Sequence, residues 1–148
     1  MSRNGNGLST LLRWRELQQQ IAEGEFHRES AALAEARHET NAKEQALVEL
    51  QRLRLNLQQM GTLDISVLEE VGLIEDAAAQ SYADAATRLD TAEASTAEAL
   101  ARHVDARAAS RVVGQRKERR DAALRDTREK ALSDQMSDMR TARGHAHD

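Results

Sequence analysis

Proline is absent from all 148 residues of the chain, and this absence limits the possible fold more than any other feature. A proline inside a helix breaks or kinks it, so glycine is the only strong helix breaker that the sequence contains. One break stands out, at residues 61–65, where the sequence reads Gly-Thr-Leu-Asp-Ile. The sequence therefore predicts an all-α fold of two long helices joined by one short connection.

The composition favours long helices over a globule with a large core. Trp14, Phe26 and Tyr82 are the only aromatic residues, and alanine supplies much of the 40% hydrophobic content. Small side chains bury too little area to offset the entropy that a compact chain loses on folding. Disorder is the alternative, but disordered chains usually contain proline and lack apolar periodicity. A coiled coil is therefore the predicted fold class.

The first predicted helix runs from about residue 9 to about residue 60, with Ser9 or Thr10 as its N-cap. Late in this helix, large apolar residues recur at intervals of three and four, which predicts an apolar seam for packing against another helix. Earlier, Leu17 and Ile21 share one face, whereas Leu33 resumes the pattern in a shifted phase, which predicts a stutter. The predicted seam residues of this helix are Leu47, Leu50, Leu53, Leu57 and Met60.

The second predicted helix runs from about residue 66 to about residue 140. Gly61 suits the left-handed position after a helix, and Ser66 with Glu69 has the spacing of a capping box. Residues 141–148 are expected to fray, so residues 1–148 are predicted to form a single elongated coiled-coil domain. The predicted seam residues of this helix are Leu68, Val71 and Ile74.

Two long helices with a short connection predict an antiparallel hairpin, in which paired positions sum to about 128. Leu57 then faces Val71, and Trp14 faces Val113. Large residues oppose small ones, which suits a constant interhelical distance. A parallel homodimer is the alternative, but it would stack alanine on alanine and bury little area. Residues 120–140 are left beyond the first helix, and we expect this segment to be ordered only on a partner, because a lone helix of that length is marginal in water.

The charges are divided along the chain. Residues 62–101 contain nine acids and one base, whereas residues 102–125 contain eight bases and three acids. This asymmetry predicts different partners at the two ends. The net charge of −4 is too small to indicate a nucleic-acid partner, and no apolar stretch is long enough for membrane insertion.

The residues of common catalytic and metal sites are missing or badly spaced. Cysteine is absent, which fits a reducing cytoplasm. No two of the five histidines have the i,i+4 spacing of a helical metal-binding site, and no glycine-rich phosphate loop occurs. The N-terminus lacks the apolar core of a signal peptide. We therefore expect a cytoplasmic protein that is not an enzyme and that binds no cofactor or metal.

The basic run at residues 116–120 is the sharpest local feature, and it would meet Trp14 and its flanking arginines at the open end of the hairpin. A solvated helix face is one interpretation of the run. The other is a docking site for an acidic protein surface, since tryptophan and arginine are enriched in binding hot spots. The candidate binding residues are Arg13, Trp14, Arg15, Arg116, Lys117, Arg119 and Arg120.

Three sequence features together resemble the stalk proteins of type III secretion ATPases. They are a first helix of about 50 residues that begins Leu-Leu-Arg-Trp-Arg (residues 11–15), the break at residues 61–70, and the basic run at 115–120 followed by residues 134–140. The resemblance extends over nearly the whole chain. The chain departs from the family in having few aromatic residues near the hairpin tip.

The resemblance implies a non-enzymatic coiled coil that inserts into the pore of a hexameric secretion ATPase. Its other end would reach the cytoplasmic ring of the export gate, so that the protein would lie at the cytoplasmic face of a membrane-embedded injectisome or flagellar apparatus. On this view the open-end residues contact the ATPase, and Leu63 and Ile65 at the tip contact the gate.

Two other functions fit a coiled coil of this kind. A secretion chaperone or escort would cradle export substrates on an amphipathic surface. For the stalk, export chaperones would be further partners beside the ATPase and the gate. A filament former would associate side by side through irregularities of the seam. Binding at about one copy per ATPase hexamer would favour the stalk, and binding to unfolded substrate would favour the escort.

Overall fold

A computed structural model of the chain describes residues 3–61 and 64–146, with side chains from residue 6 onward. Helix α1 spans Arg3–Gln59 and helix α2 spans Ile65–His145, and the described residues contain no strand. The fold is all-α, an antiparallel coiled-coil hairpin, as the sequence predicts. Helix α2 continues through residues 141–145, where the sequence predicts fraying.

The N-caps of both helices differ from the predicted ones, although α2 begins at Ile65, within one residue of its predicted start. Helix α1 begins at Arg3, so Ser9 and Thr10 lie inside it, and the Thr10 hydroxyl donates a hydrogen bond of 2.7 Å to the carbonyl oxygen of Asn6, one turn earlier. Such a bond back to the preceding turn belongs to a helix interior rather than to a cap. The predicted N-cap of the first helix is therefore wrong.

Asp64, not Ser66, caps helix α2. Its carboxylate oxygen Oδ1 accepts a hydrogen bond of 3.2 Å from the backbone N–H of Ser66, and its carbonyl oxygen accepts one of 3.1 Å from the N–H of Val67. These are the contacts of an N-cap aspartate, so the predicted capping box is wrong. Gly61 adopts a left-handed φ of 68° after helix α1, as predicted for a residue without a Cβ atom.

The chain divides into two compact units. We call Ile21–Val104, which includes the link between the helices, the connection unit. We call Met1–Gln20 together with Asp105–Asp148 the terminal unit.

In the connection unit, the least exposed positions of both helices alternate at intervals of three and four without interruption. This is the repeat of a left-handed coiled coil. Thr40, Leu33 and Ala22 share one phase, which leaves Ile21 49% exposed. The predicted stutter is therefore wrong. The positions concerned are 22, 26, 29, 33, 36, 40, 43, 47, 50, 54 and 57 in α1, and 71, 75, 78, 82, 85, 89, 92, 96, 99 and 103 in α2.

Small residues and threonines fill much of this interface. Ala85 and Ala99 are 1% and 0% exposed, which allows the helix backbones to approach closely. The hydroxyl of the buried Thr40 donates to the carbonyl oxygen of Ala36 on its own helix at 2.7 Å and shares this proton with the carbonyl oxygen of Ala85 on the other helix at 3.2 Å. The Thr96 hydroxyl is shared in the same way between Ala92 of its own helix at 2.7 Å and Glu29 of the other at 3.1 Å. Residues in contact across the interface have numbers that sum to between 125 and 129, close to the predicted register.

In the terminal unit, Val113 and Ser110 are buried on helix α2. Leu12, rather than Trp14, lies against this part of α2, since its Cδ1 atom comes within van der Waals distance of the position that a Cβ atom would take at Gly114. Leu17 is about half exposed, because the phase of the interface places it on the outer side of α1. From residue 123 to residue 145 helix α2 continues with every residue exposed, and we call this segment the C-terminal extension.

Candidate partner-binding surfaces

The basic run divides between two sides of helix α2 in the terminal unit. Lys117 and Arg120 are half-buried, because they follow Val113 at intervals of four and three and so continue its interface side. Arg116 and Arg119 are exposed. Arg116 and Arg119 are therefore the basic side chains of the run that are most accessible to a partner, and the exposed Glu118 lies between them.

The residues around Trp14 divide in the same way. Trp14 is 49% exposed and Arg13 is exposed, whereas Arg15 is half-buried. The guanidinium carbon of Arg15 lies 4.9 Å from the centroid of the Trp14 ring, within the range of a cation–π interaction. This contact covers part of the indole while leaving the rest of the ring accessible, as a binding surface requires.

The prediction of the seam is right for five residues and wrong for three. Leu47, Leu50, Leu57 and Leu68 are half-buried and Val71 is buried, as the sequence predicts. Leu53 is 47% exposed and Ile74 is 55% exposed, because the three-and-four repeat selects Arg54 and Glu75 instead. Met60 lies beyond the end of α1 and is 71% exposed. Assigning these three residues to the interface is wrong.

Near the link, the sequence indicated the acidic residues but did not indicate the exposed leucines that lie among them. Leu55 and Leu73 are 52% and 70% exposed, and they share this part of the connection unit with the exposed acids Glu69, Glu70 and Asp76. Continuing the repeat of interface positions from Val71 along α2 leaves Leu73 outside the interface, so this pattern would have indicated the exposed surface. Ile65, a predicted gate contact, is exposed, and Leu63, the other one, lies outside the described residues.

The interface of the connection unit also contains polar pairs that the sequence did not indicate. The rings of Phe26 and His103 stack with centroids 6.1 Å apart and planes 4° apart. Arg88 forms an ion pair of 2.7 Å with Glu39, and Arg102 one of 3.5 Å with Glu25. Exposed pairs of this kind contribute under about 1 kcal/mol each, so they add little to the stability of the hairpin.

In the part of the chain that the structure describes, no three His, Asp or Glu side chains are grouped to hold a metal ion. None of the helices in that part is both long and apolar enough to cross a membrane.

The sequence matches no protein-family model, and no characterised protein or solved structure is significantly similar to it.

Proposed function

We propose that the chain is a non-enzymatic stalk component of a bacterial type III protein secretion system. In this proposal the terminal unit binds within a hexameric secretion ATPase, and the connection unit binds the cytoplasmic ring of the export gate. The protein acts in the cytoplasm, at the face of the membrane-embedded apparatus.

The observation that supports the proposal best is that the two units expose side chains of opposite charge. The terminal unit exposes Arg13, Arg116 and Arg119 beside a half-exposed Trp14. The connection unit exposes acids and large apolar residues near the link between its helices. Charge complementarity steers association and determines which surface meets which partner. A chain that links two machines needs two such surfaces, and an antiparallel coiled coil supplies both without a catalytic pocket.

The escort function is the second candidate, and the exposed Leu55, Leu73 and Ile74 favour it, because an escort needs an apolar surface for its cargo. The filament hypothesis depended on irregularities of the seam. The unbroken repeat of the connection unit removes that argument.

Stoichiometry distinguishes the stalk from the escort. We expect purified full-length chain and secretion ATPase, mixed with a non-hydrolysable nucleotide, to form a complex of one chain per hexamer in native mass spectrometry. Six chains per hexamer, or binding to unfolded export substrate but not to the ATPase, would contradict the stalk function. The second of these results would support the escort.

A further inference from the structure

The C-terminal extension is a continuous helix without a partner helix in the described chain. Residues 123–145 are exposed throughout, and Leu132, Met136 and Met139 are 60%, 58% and 66% exposed. An isolated helix of this length is marginal in water. Exposing three large apolar side chains on it contributes nothing to the stability of the free chain.

The extension has two faces of opposite charge. Helical residues at intervals of three and four share a face, and residues 125, 128, 132, 136, 139 and 143 follow such intervals. We call this set the cationic face; it consists of Arg125, Arg128, Leu132, Met136, Met139 and Arg143. The opposite face, which we call the acidic face, carries Asp126, Lys130, Asp134 and Asp138. The apolar residues therefore lie among arginines and away from the aspartates.

The arginines of the cationic face are available to a partner. Among the described residues, the structure contains no ion pair or hydrogen bond to the side chains of Arg125, Arg128 or Arg143. A guanidinium that is removed from water without a carboxylate or another acceptor is strongly unfavourable. The cationic face carries three arginines, whereas Glu129 is the one acid at its edge, beside Leu132. A surface that covers Leu132 and Met136 therefore fits best if it offers carboxylates beside its apolar contacts.

A second copy of the chain does not meet this requirement. The arginines lie on both sides of the apolar centre, so antiparallel pairing of Leu132 with Met136 would bring Arg128 opposite Arg140 and Arg125 opposite Arg143. Parallel pairing would bring each arginine against its own equivalent. Like charges in direct opposition are unfavourable in either arrangement. A lipid surface fits less well than a protein, because the extension lacks the aromatic residues of interfacial helices.

We propose that the C-terminal extension is a ligand helix, which binds through its cationic face to an apolar groove bordered by carboxylates on a partner protein. Helix-in-groove recognition uses apolar anchors at intervals of three and four. Methionine suits such a groove because its flexible side chain adapts to irregular surfaces. The inference goes beyond the proposed function and remains open to test if that function fails.

The test is site-specific photo-cross-linking of the full-length chain in its native cells. The photoreactive residue p-benzoylphenylalanine replaces Met136 on the cationic face or, as the matched control, Thr141 on the side of the acidic face. We expect the Met136 position alone to cross-link one partner protein, at a segment that mass spectrometry shows to combine apolar residues with Asp or Glu.

Charge variants complete the test. Arg128→Glu with Arg143→Glu should reduce the cross-link at least tenfold. Asp134→Lys with Asp138→Lys, which reverses two charges on the acidic face, should leave it within twofold. Circular dichroism of the purified variants checks that each still folds. A secretion ATPase as the captured protein would support both proposals, whereas an acidic groove on any other protein would support this inference alone.

Four results would overturn the inference: no cross-linked protein, a cross-linked dimer of the chain, equal labelling from Thr141, or no effect of the arginine reversals. Vesicles of phosphatidylethanolamine and phosphatidylglycerol at three to one test the lipid alternative. Binding to these vesicles that the same reversals abolish, without a protein cross-link, would also overturn it.

Discussion

Arg54 and Glu75 face each other inside the interface of the connection unit, with Nη1 of the arginine 3.0 Å from Oε2 of the glutamate. The Glu75 side chain is only 13% exposed, whereas that of Arg54 is 42% exposed. The buried Oε2 atom accepts no hydrogen bond of good geometry, so the attraction is chiefly ionic. Two charged residues therefore occupy positions of the coiled-coil repeat where apolar residues are usual.

The first prediction concerns this pair. Arg54→Met should lower the free energy of unfolding by about 1–2 kcal/mol, because it leaves a largely buried carboxylate without its cation; the partial exposure of the arginine keeps the loss below that of a fully buried pair. Adding Glu75→Leu should recover most of the loss, since an apolar pair suits the interface. Urea denaturation of the four species of this double-mutant cycle measures both effects. If the two substitutions change the free energy of unfolding additively, the pair is not coupled.

The second prediction distinguishes two leucines three residues apart. Leu50→Asp should destabilise the hairpin by about 2 kcal/mol or more, because it places a carboxylate in the helix interface. Leu53→Asp should change the stability by less than about 0.5 kcal/mol, since Leu53 lies on an exposed side. Thermal melts by circular dichroism compare them. If the two variants melt at the same temperature, the interface has been placed wrongly.

The third prediction concerns the small residues of the interface. Ala85→Leu should destabilise the hairpin by about 1–3 kcal/mol, because Ala85 is fully buried and a larger side chain would force the helices apart. Ala83→Leu is the matched control on the exposed side of the same helix and should be nearly neutral. Chemical denaturation measures both. A stable Ala85→Leu protein would mean that the helices are not closely packed at this point.

The sequence predicted the two helices, the link and the antiparallel register, because these depend on the absence of proline, on Gly61 and on the spacing of large apolar residues. It misplaced Leu53 and Ile74, because the interface follows an unbroken repeat that passes through Arg54 and Glu75. A search for large apolar residues alone cannot find an interface that includes charged side chains, threonines and alanines. Following one repeat along the whole of helix α2 would have found it.

The candidate site was predicted less completely than the fold. The sequence grouped seven residues around the basic run, but helical phase places Arg15, Lys117 and Arg120 on half-buried sides. Which members of the group are exposed depends on which side of each helix packs in the interface. The sequence pattern had not determined that side in the terminal unit. The apolar surface near Leu73 went unnoticed, because neither Leu55 nor Leu73 was assigned to any surface from the sequence.

The most direct test of the proposed function uses the exposed arginines of the terminal unit. Arg13→Glu, Arg116→Glu and Arg119→Glu together should weaken binding of the full-length chain to the secretion ATPase at least tenfold. The coiled coil should survive, because all three side chains are exposed. Raising the salt concentration should weaken wild-type binding in the same direction, because salt screens exposed charges.

The matched control reverses three exposed arginines of the connection unit, Arg28, Arg37 and Arg52, to glutamate. The deciding measurement is the dissociation constant from fluorescence titration of each variant against the ATPase hexamer at two salt concentrations, with circular dichroism as the check on folding. The stalk function predicts a loss of at least tenfold for the terminal-unit variant and less than twofold for the control. Equal affinities for both variants and the wild type, with folding intact, would contradict it.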